Sequence, residues 1–181
     1  MISDFYSWDS FLKKEQIKKI NTKINKNKFE SIDKPAPNTI KTSKVDFIYW
    51  NSIKNDLNNI YEDMKWANTE FFGYNLYEFG RKDQISYNEY NSKNQAEYAW
   101  HTDTSGNHIY DIKFTAIINI STEKYEGGNF ELYAGQPIHI KILDNPGSVI
   151  LFKSHLLHRV TPVLSGVRKS IAMFLIGPRF I

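Results

Sequence analysis

The sequence predicts a mainly β protein, a sandwich or barrel with α-helices at its N-terminal end. Three observations predict it. After residue 70 the apolar pattern breaks into short runs rich in aromatic and β-branched side chains. Turn signals separate those runs, at Glu126-Gly127-Gly128-Asn129, Asp144-Asn145-Pro146-Gly147 and Ser165-Gly166. No helical period alternates with them, which disfavours a doubly wound α/β fold and favours strands packed on strands.

Taken in order, residues 1–30 read as a helix. Ser7, Asp9 or Ser10 could cap it, and Leu12, Ile17, Ile20 and Ile24 recur near helical spacing with Lys between them. Pro35 and Pro37 mark 31–44 as a loop, 45–50 as a short strand follows, and a second helix spans about 52–68. That helix carries Ile53, Leu57, Ile60, Tyr61 and Met64 on one face. Strands are expected at 71–77, 84–90, 98–103, 112–120, 129–133, 138–142, 147–152, 157–163 and 169–176. The expectation is one domain over 1–181, with 1–68 as a helical support and 69–181 as the β core.

Composition narrows the chemistry. The chain has 181 residues, enough to bury a core, and is 41% hydrophobic with 15% aromatic residues. It has no cysteine, which removes disulfides, zinc–thiolate sites, iron–sulfur clusters and cysteine nucleophiles. A metal site must therefore use His, Asp, Glu or oxygen donors. MISDFYSWDS is not a signal peptide, and no apolar run reaches the roughly 18 residues of a membrane helix. A cytoplasmic protein is expected. The net charge of +3 comes largely from Lys in the first 45 residues, reads as a solvated helix face, and speaks against a nucleic-acid partner.

Trp100-His101-Thr102-Asp103 carries the first chemical signal. On a strand, residues two apart point to one side, so the imidazole and the carboxylate can reach one ion. A simple His–Asp hydrogen bond is the alternative. A third ligand could come from His155 or His158, far off in sequence. Two neutral imidazoles and one carboxylate suit non-haem iron(II), and zinc would accept them too. Arg168 starts an apolar strand ten residues after His158. A buried guanidinium needs a partner and fits a carboxylate in two-pronged fashion. Ser170 shares its strand face and could add a hydroxyl. A structural ion pair is the competing reading of Arg168.

The ordered pattern resembles the prolyl 4-hydroxylase-like branch of the iron(II)/2-oxoglutarate dioxygenase superfamily. It runs through Tyr90, Tyr98-Ala99-Trp100-His101-Thr102-Asp103, Gly127-Gly128 and Pro146-Gly147. It continues with His158-Arg159-Val160-Thr161-Pro162-Val163 and Gly166-Val167-Arg168-Lys169-Ser170. Upstream, Asn68-Thr69-Glu70-Phe71-Phe72-Gly73-Tyr74-Asn75-Leu76 adds to the likeness, which covers about residues 65–178. The resemblance implies a double-stranded β-helix (jelly-roll) core. It implies that His101, Asp103 and His158 hold Fe(II), and that Arg168 pairs with the distal carboxylate of 2-oxoglutarate. Ser170, Tyr90, Tyr98 and Asn119 would also face the co-substrate. With O2 as oxidant, 2-oxoglutarate would yield succinate and carbon dioxide while an aliphatic C–H bond is hydroxylated. The branch suggests a prolyl-type group in a peptide or protein, or a free amino acid, and the family also suggests L-ascorbic acid binding. Trp100, Tyr125, Arg159 and the loops at 104–111 and 121–128 would border the opening.

The chain departs from the branch in places. Asn119 stands where several relatives place a Tyr that touches the distal carboxylate. Two extra residues lie between Tyr90 and Tyr98. Asp103 argues against the halogenating members, which lack this carboxylate. His155 would spoil the ten-residue step to Arg168, so His158 is preferred. His108 falls in a polar loop and His139 alternates with Ile138 and Ile140 as a surface residue. Two alternatives remain: an oxygenase acting on a nucleic-acid base or methyl group, and a non-catalytic metal-binding jelly roll.

Overall fold

Period-2 alternation after residue 84 becomes sheet, and the alternation decides which face each side chain takes. The computed structural model describes residues 4–30, 40–81, 83–104 and 109–180, the Glu30 side chain excepted. In chain order the elements are β1 (Phe5–Trp8), α1 (Lys14–Asn27), β2 (Phe29–Glu30), β3 (Lys44–Tyr49), α2 (Trp50–Ala67) and β4 (Gln84–Asn91). Next come β5 (Tyr98–His101), β6 (Asp111–Asn119), β7 (Glu126–Gly127), β8 (Phe130–Tyr133) and β9 (Pro137–His139). The last are β10 (Val149–Lys153), β11 (His158–Val160), β12 (Val163–Ser165) and β13 (Val167–Gly177).

Seven strands form the major sheet in the order β1-β10-β6-β13-β4-β3-β2, and four form the minor sheet, β5-β11-β8-β9. A short β12–β7 pair closes one end. The two sheets make the expected double-stranded β-helix core. Two apolar clusters show how it is layered. One packs Ile17, Ile20 and Ile24 of α1 and Ile53, Leu57 and Met64 of α2 against Ile85, Phe114, Ile118, Leu151, Ile171 and Met173 of the major sheet. The other lies between the sheets, with Ile150 and Phe152 meeting Phe130, Leu132 and Val160. Neighbouring residues on one strand thus serve different layers. On β13, Ile171 and Met173 face the helices, while Arg168, Ser170 and Ala172 line a cavity between the sheets.

The N-terminal region differs from its expected helix-only role. Phe5–Trp8 is a strand that pairs with β10, placing Ser7 opposite Ile150, so Ser7 caps nothing. Ser10 N–H donates to Ser148 Oγ at 2.9 Å, and Asp9 accepts from Asn145 and Ser148, which ties this end to the turn before β10. The helix begins only at Lys14, where Lys13 N–H donates to Gln16 Oε1. Residues 1–68 therefore contribute β1, β2 and β3 to the major sheet as well as two helices.

The strand expected at 71–77 is absent. Asn68–Phe72 continues α2 as a π-helical turn, ended by Gly73 at φ 75°. Its aromatics, which mimic a strand composition, cap the sheet's end: Phe72 and Tyr74 pack their rings 4.9 and 5.1 Å from Phe114. The 138–142 strand stops at His139 and becomes a 3-10 turn over Lys141–Asp144. The 157–163 strand splits into β11 and β12 around Pro162, which has no N–H for a ladder. Among the described residues no helix is long and apolar enough to cross a membrane.

Candidate metal centre

His101 and His158 meet because β5 and β11 pair with His101 opposite His158. Both side chains point inward from the minor sheet, with ring centroids 4.0 Å apart. Asp103 follows β5, and its N–H donates to Ser154 O, which turns the carboxylate toward the imidazoles. Asp103 Oδ2 lies 3.2 Å from His158 Nε2, and Oδ1 lies 3.7 Å from His101 Nε2. The three ligand atoms fall within 4.8 Å of one another, as one ion requires.

The surroundings fix both imidazoles in a ligating form. His101 Nδ1 bonds Ala99 O at 2.7 Å and His158 Nδ1 bonds Leu156 O at 2.9 Å. Each Nδ1–H is donated to a carbonyl, so each Nε2 lone pair faces the centre. Burial pushes His101 down to about 4, and the His158 imidazole adds to that shift against the pull of Asp103. A neutral His101 is thus the form at neutral pH. Burial would raise the Asp103 carboxyl, but its contacts with His158, His101 and Thr115 hold it below the ordinary carboxylate value. Thr115 Oγ1 donates to Asp103 Oδ2 at 2.7 Å from β6.

Arg168 is 1% exposed and reaches the same cavity from the major sheet. Its Nη1 donates to Ser170 Oγ at 3.1 Å, and its guanidinium sits 5.4 Å from the Tyr90 ring. Its Nη2 has no hydrogen-bond partner among the described residues. A buried guanidinium in that state calls for an anion. Gly128 makes room for its stem: at φ +62° a Cβ there would lie 3.0 Å from Arg168 Cδ and 2.9 Å from Val163 Cγ2. The cavity holds about 70 Å³ and joins Arg168, Ser170 and Tyr90 to His101, Asp103 and His158. Tyr98 also lines it and stacks on His101 at 3.4 Å between centroids. Burial pushes the Tyr90 hydroxyl up, against the pull of the Arg168 charge.

A family description matches residues 85–176, the 2OG-Fe(II) oxygenase superfamily. The chain belongs to that superfamily. The oxygenase is also 40% identical over 73 residues to a PKHD-type hydroxylase of Synechococcus sp. (strain CC9605), a match covering 39% of this chain and 32% of that protein. The matched stretch thus spans about a third of that relative's length. Solved structures share the fold at low identity. A Pseudomonas putida prolyl-4-hydroxylase superposes with a TM-score of 0.71 at 13% identity, covering 98% of this chain and 94% of that one. The viral collagen prolyl hydroxylase of Paramecium Bursaria Chlorella virus-1, in its 2OG complex, gives 0.65 at 16% identity over 97% of each chain. A Trichoplax adhaerens prolyl hydroxylase, bound to a hypoxia inducible factor oxygen degradation domain peptide fragment, gives 0.70 at 15% identity, with 95% and 83% covered.

The superfamily's Fe(II), 2-oxoglutarate and O2 fit the residues present. The donor set of two imidazoles and a carboxylate suits iron(II), and the orphaned Arg168 Nη2 suits a distal carboxylate. Not every expected residue joins the cavity. Asn119 is fully buried outside its lining, with all its polar capacity engaged. Its Nδ2 donates to Leu143 O at 2.7 Å and Tyr125 Oη at 3.1 Å, and its Oδ1 accepts from Ser121 N–H. Trp100 and Arg159 alternate with the two ligating histidines and so face the opposite side of the minor sheet. There Arg159 pairs with Glu131 at 2.7 Å and covers the Trp100 ring at 4.7 Å. The 121–128 loop, with Tyr125, lines a separate groove of about 550 Å³ that contains none of the metal-binding set. The loop at 104–111 is described only at 104 and 109–111, and His108 lies outside the described residues. His155 is exposed and stands apart from the cluster, and His139 pairs with Asp144 at 2.9 Å. Thr115, Ser86 and Asn88 were overlooked in the sequence. Only Thr115 carried a signal, as a polar residue among Phe114, Ala116, Ile117 and Ile118.

Proposed function

We propose that this chain is an Fe(II)/2-oxoglutarate-dependent hydroxylase acting on an aliphatic C–H bond. Its substrate on this reading is a prolyl-type group in a peptide or protein, or a free amino acid. One observation carries the reading: three ligating side chains and one buried guanidinium with an unpartnered Nη2 share a single cavity. When bound, the iron and 2-oxoglutarate supply the oxidising chemistry. His101 and His158 offer neutral Nε2 donors, Asp103 offers an oxygen oriented by Thr115, and Arg168 anchors the co-substrate's far end. Phe130, Ile117 and Val160 line the remaining wall and exclude water from it.

The substrate class rests on support of a different kind. Proteins similar to this chain include hydroxylases of prolyl or PKHD type. Lys19 and Lys23 lie across the major sheet from the cavity and pair with Asp56 between the helices, while Lys41 lines the cavity beside Tyr98. Among the described residues one lysine beside the metal ligands is no basic track, which favours a peptide or small molecule over a nucleic acid. The proposal treats residues 1–181 as one oxygenase domain working in the cytoplasm.

The test is release of succinate from 2-oxoglutarate in the presence of Fe(II), with proline-containing peptides, free amino acids and oligonucleotides as candidates. A substrate-stimulated rate with the first two supports the proposal. Stimulation by oligonucleotides alone would replace the substrate class. No succinate under any condition would favour a metal-binding jelly roll without activity.

A further inference from the structure

The Arg168 guanidinium has two polar neighbours flanking Ser170, and they differ in one respect. Ser170 stands opposite Asn119 of β6 on one side and opposite Asn88 of β4 on the other. Asn119 has no capacity to spare, since its amide bonds Leu143 O, Tyr125 Oη and Ser121 N–H. Asn88 is 5% exposed and lines the cavity. Its side chain thus borders the same cavity as the unpartnered Arg168 Nη2, where one ligand can meet both.

We propose that Asn88 is a second anchor for the co-substrate, its Nδ2–H donating to the distal carboxylate that Arg168 Nη2 also binds. The inference rests on the 2-oxoglutarate reading of the cavity and adds a residue to it. The register supports it. Arg168 lies opposite Tyr90, yet its side chain runs along the strand until Nη1 meets Ser170 Oγ at 3.1 Å. The guanidinium head therefore sits level with Ser170, whose partner across β4 is Asn88. A carboxylate seated on Nη2 at that level has the Asn88 amide as its next wall. Ser86 lies one step further along β4, opposite Ala172, beyond that head. Asn119 instead holds the turn around Leu143.

Calorimetric binding to the protein loaded with Mn(II), which takes the same hard donors without turnover, tests this. Two ligands are compared: 2-oxoglutarate and 2-oxopentanoate, which keeps the chain and the keto-acid end but lacks the distal carboxylate. Asn88→Ala should weaken 2-oxoglutarate by about 10-fold, the size of one lost hydrogen bond to a charged group. It should leave 2-oxopentanoate and Mn(II) affinity unchanged. Asn88→Asp, of the same shape, should weaken 2-oxoglutarate further, because its carboxylate competes for Arg168. Equal weakening of both ligands by Asn88→Ala, or no weakening of 2-oxoglutarate by either Asn88 variant, would overturn the proposal. If the unsubstituted protein bound no 2-oxoglutarate, the reading of the cavity itself would fail, a result distinct from a silent Asn88.

Discussion

The two faces of the major sheet share strands but obey opposite rules. On the helix side, Ile85, Phe114, Ile118, Leu151, Ile171 and Met173 meet α1 and α2 in an apolar layer. Its few charges are paired, as in Asp56 with Lys19 and Lys23. On the cavity side, the alternate residues of the same strands are Asn88, Thr115, Arg168 and Ser170, all buried, with Arg168 Nη2 left unpaired among the described residues. One face therefore stabilises the fold, and the other holds open polar groups whose ligands arrive later. The difference teaches that buried polar residues at every second position mark the functional face, whatever their distance in sequence.

Substitutions on the two faces should separate activity from stability. The largest effect is expected at the metal ligands: Asp103→Ala or His158→Ala should abolish iron(II) binding and turnover, with little change in thermal midpoint of the metal-free protein. A metal-free midpoint that collapsed in both would show that the cavity face is structural. Next, Arg168→Ala should weaken 2-oxoglutarate by about 100-fold, the value of a two-pronged charged contact, while sparing iron affinity. Binding measured under anaerobic conditions checks both statements. Across the sheet, Met173→Ala should cost about 2–5 kcal/mol in denaturant unfolding, as for other fully buried apolar truncations, and leave co-substrate affinity of the folded protein intact.

A smaller effect belongs to Asp56, which α2 holds between Lys19 and Lys23 of α1. Burial raises its carboxyl, and the two ammonium groups outweigh this and bring it below the ordinary value. Its contribution is present above the unfolded pKa of about 3.9 and is lost as pH falls through the lower folded value. Asp56→Asn should thus cost about 1 kcal/mol at pH 7, with the gap from the parent closing as acid unfolding takes the pH through that lowered value. A gap that persisted there would mean the pairing is not its source. The smallest effect is expected from His155→Ala, which should leave iron binding unchanged.

This division also explains what was legible in the sequence. The metal set was readable because Asp103 comes two residues after His101, the last residue of β5, and because Arg168 follows His158 at a distinctive step. Strands from residue 84 onward announced themselves as short aromatic or β-branched runs between turn signals. Phe5–Trp8 did not, since four half-buried residues carry no period and precede a strongly periodic helix. Residues 71–77 misled because aromatic side chains favour strands by composition, while here they cover the open end of a sheet. Trp100 and Arg159 were misplaced for a simpler reason: a residue next to a ligand on a strand points away from it. Asn88 went unread because a lone Asn in a strand carries no signal until its neighbour across the ladder is known.

The account's central claim is that His101, Asp103, His158 and Arg168 form one site. Anaerobic calorimetry, adding iron(II) and then 2-oxoglutarate, tests it most directly. One equivalent of each should bind, with the first lost in His158→Ala and only the second lost in Arg168→Ala. Iron binding of undiminished affinity in His101→Ala, Asp103→Ala and His158→Ala alike would contradict it.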